Sequence, residues 1–397
     1  MRRLLLLVLG AAAAGPVAAQ DGVPWRAGYF PYLIGDAATG LMLVGHYQYA
    51  RQADYEARVP YDGILSAEAG LSAQGSRFAA ARFRGPLLLP GWRLAGDLAA
   101  IRESRFGYYG AGPEGSDESV TPGDPYPDEF FRVHRTRYLA RVEATRRLSG
   151  PLSAAAGLGL EHVRFTRMPD ATLFRSAYFD QPLTSTDAAG RLTLLFDTRD
   201  NELVPAKGLL LEAGVYGGTG RFEERAATPG PGPGYAASYT ARGYAGGYVH
   251  LRGYVSPREG TVVAGRIAYR TVGSNAPLEA RYELPGWERS VSVVGGAESQ
   301  RSFVRGRLVG RRVGLAGVEV RHNLLDVGDY GAVTVIAFSD VGRAWDGDTT
   351  GPTRLRRWKV GGGGGVAVRI LRSAIFTLNF AGGPDGFTFS MGNGWSF

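Results

Sequence analysis

The 397-residue chain contains no cysteine. No disulfide can staple it, and no thiolate can ligate a metal or attack a substrate. Histidine is scarce: His46, His134, His162, His250 and His322 are scattered, with no HExxH or other metal-ligand spacing. No GxSxG is present, and the GGGGG run at 361–365 lacks the Lys–Ser/Thr of a phosphate loop. A Ser–His pair from His162 and Ser176 is better explained by chance. No enzyme activity, cofactor or metal is therefore expected. Charge of one sign does not cluster: 45 Lys and Arg are interspersed with 37 Asp and Glu. A nucleic-acid partner, which needs a basic face, is excluded on that ground. Beyond the N-terminus no segment approaches the roughly 18 consecutive apolar residues of a membrane helix.

What is present points elsewhere. MRRLLLLVLGAAAAGPVAAQ begins with Arg2 and Arg3, continues through Leu4–Leu9, and ends in small residues. That is the layout of a secretory signal peptide over residues 1–19, leaving 20–397 as one mature domain. Glycine is abundant at 59 residues, beside 20 Tyr and 18 Phe, a composition of many short strands and tight turns. An exported chain with no spanning helix can still cross a membrane as a closed barrel.

A transmembrane barrel requires apolar residues toward lipid alternating with polar or small ones toward the lumen. GFTFSMGNGWSF at the C-terminus sets Phe387, Phe389, Met391, Trp395 and Phe397 on one face. In RTRYLARVEATRR, Arg137, Arg141 and Glu143 oppose Tyr138, Ala140 and Val142. Sixteen such segments occur, near 27–35, 41–52, 61–73, 76–85, 91–103, 133–148, 152–168, 188–198, 207–218, 236–254, 260–273, 312–323, 331–343, 357–370, 372–381 and 386–397. Connections after odd-numbered segments are mostly long and those after even-numbered ones mostly short, the rhythm of an up-and-down antiparallel barrel. The glycine run is expected to let the wall bend or a lumenal side chain approach it.

LLFDTRDNELVPAKGLLLE, residues 194–212, reads as a well-built periplasmic turn, with Asp197, Arg199, Asp200 and Asn201 as its polar residues. FDTRDN with the following Pro and Lys-Gly resembles a pattern of the BamA/TamA-like outer-membrane assembly-barrel superfamily, the bacterial surface antigen proteins. IGDAATGLMLVG (34–45), RFGYYGAG (105–112), FVRGR (303–307), GVEVR (317–321) and FSDVG (338–342) resemble that family in order and spacing. The resemblance implies that the loop carrying Val304, Arg305 and Gly306 folds into the lumen. It further implies that Arg305 pairs there with Asp340, with Glu319 as a second acceptor. It also makes Phe389, Trp395 and Phe397 part of a C-terminal assembly signal. Arg307 stands where the family usually has an aromatic. The other arginines of this stretch, Arg301, Arg307, Arg311 and Arg312, are read as solvated loop charges.

The expectation is an all-β transmembrane barrel of about sixteen strands in the bacterial outer membrane, with a long outer loop in its lumen. About seven residues separate the signal from the first strand, so no periplasmic POTRA module is expected. The family implies a role in outer-membrane biogenesis or polypeptide or lipid translocation. Pro31 and Gly35 in the first strand are expected to limit its pairing with the last, leaving a weak seam through which that role is carried out. Its partners would be outer-membrane lipid, the assembly machinery and a separate periplasmic protein. A passive pore or structural surface protein is the alternative, and a soluble lipocalin-like binder a third reading.

Overall fold

The computed structural model describes residues 24–36, 39–52, 57–110, 128–166, 168, 170–178, 182–227, 235–288, 292–346, 357–370 and 374–397. The signal peptide read at 1–19 lies outside the described residues. The strands are β1 (Arg26–Asp36), β2 (Gly40–Gln52), β3 (Tyr61–Ser72), β4 (Arg77–Leu89), β5 (Trp92–Gly107), β6 (Arg132–Ser149), β7 (Leu152–Thr166), β8 (Leu183–Asp197), β9 (Gly208–Ala227), β10 (Tyr235–Arg258) and β11 (Thr261–Val272). After a long connection come β14 (Arg312–Asp326), β15 (Gly331–Trp345), β16 (Lys359–Ile370), β17 (Ala374–Gly383) and β18 (Gly386–Asn393). Within that connection, β12 (Glu283–Leu284) and β13 (Ser292–Val293) form a separate short ribbon. The other sixteen close into an antiparallel barrel in which each strand pairs with its chain neighbour, and β1 meets β18.

Alternation drives this architecture. Leu43, Leu65, Leu158, Leu192, Val215 and Ile267 face outward and are exposed. Arg135, Arg137, Arg266, Glu212, Glu319 and Asp340 face inward and are buried. A polar core inside an apolar exterior is stable only if lipid covers the outside, and each outward Leu gains about 1.5–3 kcal/mol from that cover. Turns at the short end are tight; Gly260, at φ +70°, takes the left-handed conformation that closes the β10–β11 hairpin.

Strand ends depart from the alternation pattern most at β8 and β9. β8 starts at Leu183, and β9 runs on to Ala227, still paired with β10. These extensions carry polar and small residues beyond the apolar belt, so hydropathy does not mark them. At the other end β18 stops at Asn393 rather than running to Phe397, because Gly394 at φ +86° turns the chain inward.

Candidate functional site: the plugged lumen and the seam

The connection between β11 and β14, residues 273–311, folds back into the barrel. Its five-residue helix α2 (Leu278–Tyr282) opens the plug and meets a second loop helix, α1 (Leu173–Ala177), from the β7–β8 connection. Phe106, Tyr108, Phe165, Phe174, Leu278, Tyr282 and Val309 pack into one buried cluster. This cluster joins both helices to the ends of β5 and β7 and roofs the loop end of the lumen. Tyr108 belongs to the GYYG stretch singled out in the sequence.

Below the roof the plug is fastened through Arg301. Its backbone N–H donates to Asp340 Oδ2 at 2.9 Å and its Nε to the same oxygen at 3.4 Å. Its Nη1 donates to Glu319 Oε2 at 2.5 Å, and Arg321 Nε donates to the other oxygen of Glu319 at 2.5 Å. The guanidinium lies 3.6 Å from the Phe338 ring centroid, a cation–π contact. On either side, Gln300 Nε2 donates to the Val341 carbonyl at 2.6 Å, and Thr388 Oγ1 donates to the Arg301 carbonyl at 2.8 Å. Ser302 presses on the glycine run: a Cβ at Gly361 would come 2.4 Å from the Ser302 Cβ. The run thus admits the plug against the wall.

The expected Arg305–Asp340 pair is therefore corrected. Arg305 Nη1 instead sits 3.1 Å from Glu103 Oε1, and its side chain is 35% exposed. The physical reason is reach: Gly306, at φ +76°, turns the chain against Gly107, directing Arg305 to the β5 side of the barrel. Glu319 does accept from a plug arginine, but from Arg301. Val304 N–H donates to Asp385 Oδ2 at 3.1 Å. Arg307 donates through Nε to Asp385 Oδ1 at 2.7 Å and stacks over Tyr109. Arg301 and Arg307, read as solvated, are buried. Arg311 reaches Asp346 through its backbone N–H at 2.6 Å, and Arg312 Nη1 reaches the Asp346 carbonyl at 3.1 Å. A basic stretch beside an acid-lined wall finds carboxylates in space that sequence proximity does not reveal.

The plug continues to the opposite mouth. Glu288 lies 2.6 Å from Arg199 Nη2 and 2.5 Å from Arg252 Nη1. Burial favours the neutral Glu288 acid, but the two guanidiniums outweigh it and hold its carboxyl down to about 2. Arg199 also donates to both oxygens of Asp197, at 3.1 and 3.0 Å. Asp200 Oδ1 accepts from the N–H groups of Asn201, Ala206 and Lys207, and Asn201 Oδ1 from those of Leu203 and Val204. This turn folds across the mouth: Asn201 Nδ2 reaches the Ala57 carbonyl at 3.1 Å, and Glu202 takes a bidentate bond from Arg93. Val204 and the inward-turned Trp395 pack together against Ile336, Phe338 and Ile375. Phe397 is buried under Arg266, and its carbonyl accepts from Arg321 Nη2 at 2.7 Å. Trp395 and Phe397 thus leave the lipid face that the C-terminal alternation assigned them, and Phe389 stays on the wall.

Between these fastenings, oxygens of Glu161, Glu279 and Glu283 lie within 4.8 Å of one another. Arg137 bonds to Glu161 and Glu283, and Arg135 Nη1 donates to Glu279 at 2.8 Å. The guanidiniums supply the cations here, so the cluster reads as an ion network tying plug to β6 and β7. Burial, with the Glu161 charge adding to it, pushes the Glu283 carboxyl up to about 7 against Arg137 and Arg141.

The seam is the contrasting feature. All eleven residues of β1 pair with β2, yet only Gly35 and Asp36 pair with β18, opposite Met391 and Ser390. Pro31, without an N–H, lies in the unpaired part. Gly35, expected to limit pairing, is instead one of the two paired positions. A lumenal cavity of about 360 Å³ lies inside the seam, lined by Tyr32, Met42, Glu68, Phe78, Asn379 and Asn393.

A closed barrel with an apolar exterior, an ion-paired interior and a lumen filled by its own loop is a transmembrane β-barrel. The chain belongs to the Omp85 superfamily, whose domain model matches residues 65–395. The structure is similar to BamA from Haemophilus ducreyi lacking POTRA domains 1-3, with a TM-score of 0.54 and 12% identity, over 94% of this chain and 70% of that one. It is also similar to CdiB from Escherichia coli, with a TM-score of 0.54 and 13% identity, over 94% of this chain and 63% of that one. At these identities the likeness is one of fold. A search of curated protein sequences finds no match.

Proposed function

We propose that the chain is a bacterial outer-membrane Omp85 barrel that inserts or moves polypeptide or lipid at the β1–β18 seam. The carrying observation is the contrast between a seam of two paired positions and a lumen fastened at several levels. Unpaired backbone N–H and C=O groups facing lipid cost several kcal/mol each, so a free β1 edge favours pairing with an incoming strand. A steady pore would need the plug to release Arg301, Arg307 and Glu288 together. The partners of this reading are membrane lipid, the outer-membrane assembly machinery and a periplasmic protein that delivers the client.

The chain has no native cysteine, which makes the test clean. Asp36→Cys with Ser390→Cys places two thiols at directly paired positions. Oxidised, this variant should lose insertion of an unfolded barrel client into proteoliposomes, and reduction should restore it. Full activity with the seam locked would overturn the proposal.

A further inference from the structure

The outer wall of the barrel carries a charge pattern that the plug and seam do not use. Leu71 on β3 is 68% exposed, and it pairs with Arg77 on β4, so Arg77 also faces outward. Arg77 pairs directly with Arg102 on β5, Arg102 with Thr136 on β6, and Thr136 with Arg164 on β7. All three arginines are exposed. They sit near the ends of their strands on the side where the plug loop enters, at the edge of the apolar belt.

Two arginines directly opposite in a ladder repel each other unless an anion lies between them. Among the described residues, none of the three guanidiniums meets a carboxylate, and no Asp or Glu takes an outward position on β4 to β8. The inward-facing arginines of the same strands, by contrast, are paired: Arg82 with Glu68, Arg84 with Asp97, Arg137 with Glu161. No described residue supplies an anion between them, and a ligand from the surrounding membrane can.

The wall below the arginines has the complementary chemistry. Tyr138 and His162 come next, their rings 6.3 Å apart, and His162 Nδ1 lies 2.7 Å from Thr186 Oγ1. Beyond them an outward groove of about 750 Å³ runs between Leu98, Leu158 and Leu160 over a floor of Ala81, Ala140 and Gly190. Small residues between leucine ridges leave room for an acyl chain against the strands. From rim to groove the order is guanidinium, aromatic and imidazole, hydrocarbon.

We propose that this face of β4–β8 binds a membrane lipid bearing more than one phosphate, its phosphates bridging Arg77, Arg102 and Arg164 and an acyl chain in the groove. Arginine suits the task because its planar fork takes phosphate oxygens in pairs. The proposal goes beyond client insertion and does not depend on it, since lipid binding is read on the outer wall alone.

Native mass spectrometry of the detergent-purified full chain tests it, with bis-phosphorylated lipid A, monophosphoryl lipid A and dioleoylphosphatidylcholine as probes. Bis-phosphorylated lipid A should bind tightest and phosphatidylcholine weakest. Arg77→Gln with Arg102→Gln should weaken lipid A binding about tenfold or more, as should Arg164→Gln to a lesser degree. Arg77→Lys with Arg102→Lys should keep most of the binding. An unchanged trypsin pattern of the plug would show that the variants are folded. Equal binding of all three lipids, or of lipid A to wild type and the Gln variant, would overturn the proposal. Competition by inorganic pyrophosphate as effective as by lipid A would also overturn it, by reducing the site to free-anion capture.

Discussion

The backbone N–H of Arg301 and its guanidinium both reach Oδ2 of Asp340, so one wall carboxylate holds the plug through main chain and side chain together. Both residues are buried, and the guanidinium also serves Glu319. Removing one partner leaves an uncompensated buried charge, at a cost of about 3–5 kcal/mol. Arg301→Ala and Asp340→Ala should each speed tryptic cleavage within the plug and raise conductance in planar bilayers. The double variant should be little worse than either single one, because the two act as a unit. Arg301→Lys should rescue only in part, since an ammonium cannot span both carboxylates.

Arg305→Ala should behave differently. Its side chain is about a third exposed, so its pair with Glu103 is worth about 0–1 kcal/mol after solvent screening. The same cleavage assay should show little change. A defect as large as that of Arg301→Ala would mean that the plug is held chiefly at β5.

Two glycines of the wall separate close approach from simple flexibility. Gly361→Ala brings a Cβ within 2.4 Å of Ser302, whereas a Cβ at Gly382 meets nothing within 4 Å. The first substitution should loosen the plug and lower thermal stability by about 1–3 kcal/mol, as overpacking does. The second should be silent. Equal effects would tie the glycine run to wall bending instead.

Acid should release the foot of the plug. The folded Glu288 carboxyl lies near 2, below the ordinary glutamate value of about 4.3. Its contribution is therefore full above about pH 4.3 and is lost as pH falls toward 2. Pepsin cleavage of the plug should accelerate across that window, and Glu288→Gln should be cleaved rapidly throughout it.

Glu283 carries the opposite sign. Its carboxyl stands near 7, above the ordinary value, so between about pH 4.3 and 7 the folded state holds a proton that the unfolded state does not. Stability should fall as pH rises through that window, and Glu283→Gln should flatten the slope in thermal unfolding curves.

The sequence was most informative where lipid imposes its rule. Alternation located all sixteen wall strands because an outward charge or an inward leucine run is costly in a bilayer. It lost the ends of β8 and β9 beyond the belt, where polar and small residues predominate. The plug was harder to read because its partners are distant in sequence. FVRGR drew attention to Arg305, yet the arginine on Asp340 belongs to Gln300-Arg301-Ser302-Phe303. That tetrapeptide has the aromatic that Arg307 replaces in the other, with serine for glycine, so a motif with a fixed glycine overlooks it. The foot was half visible: Asp197 and Arg199 stood out as a polar turn, but nothing near them in sequence announces Glu288.

The distribution of the plug's fastenings has a mechanical consequence. They fall on β5 at Glu103, β6 at Arg135 and Arg137, β9 at Glu212, β10 at Arg252, β14 at Glu319, β15 at Asp340 and β18 at Thr388. Along that long arc the loop acts as a strut, holding the cross-section against squeezing. The arc of β1 to β4 faces a cavity instead and ends at the seam's two rungs. A load on the barrel would bend this unbraced panel first, swinging it about the stiff remainder as a door leaf swings on its frame.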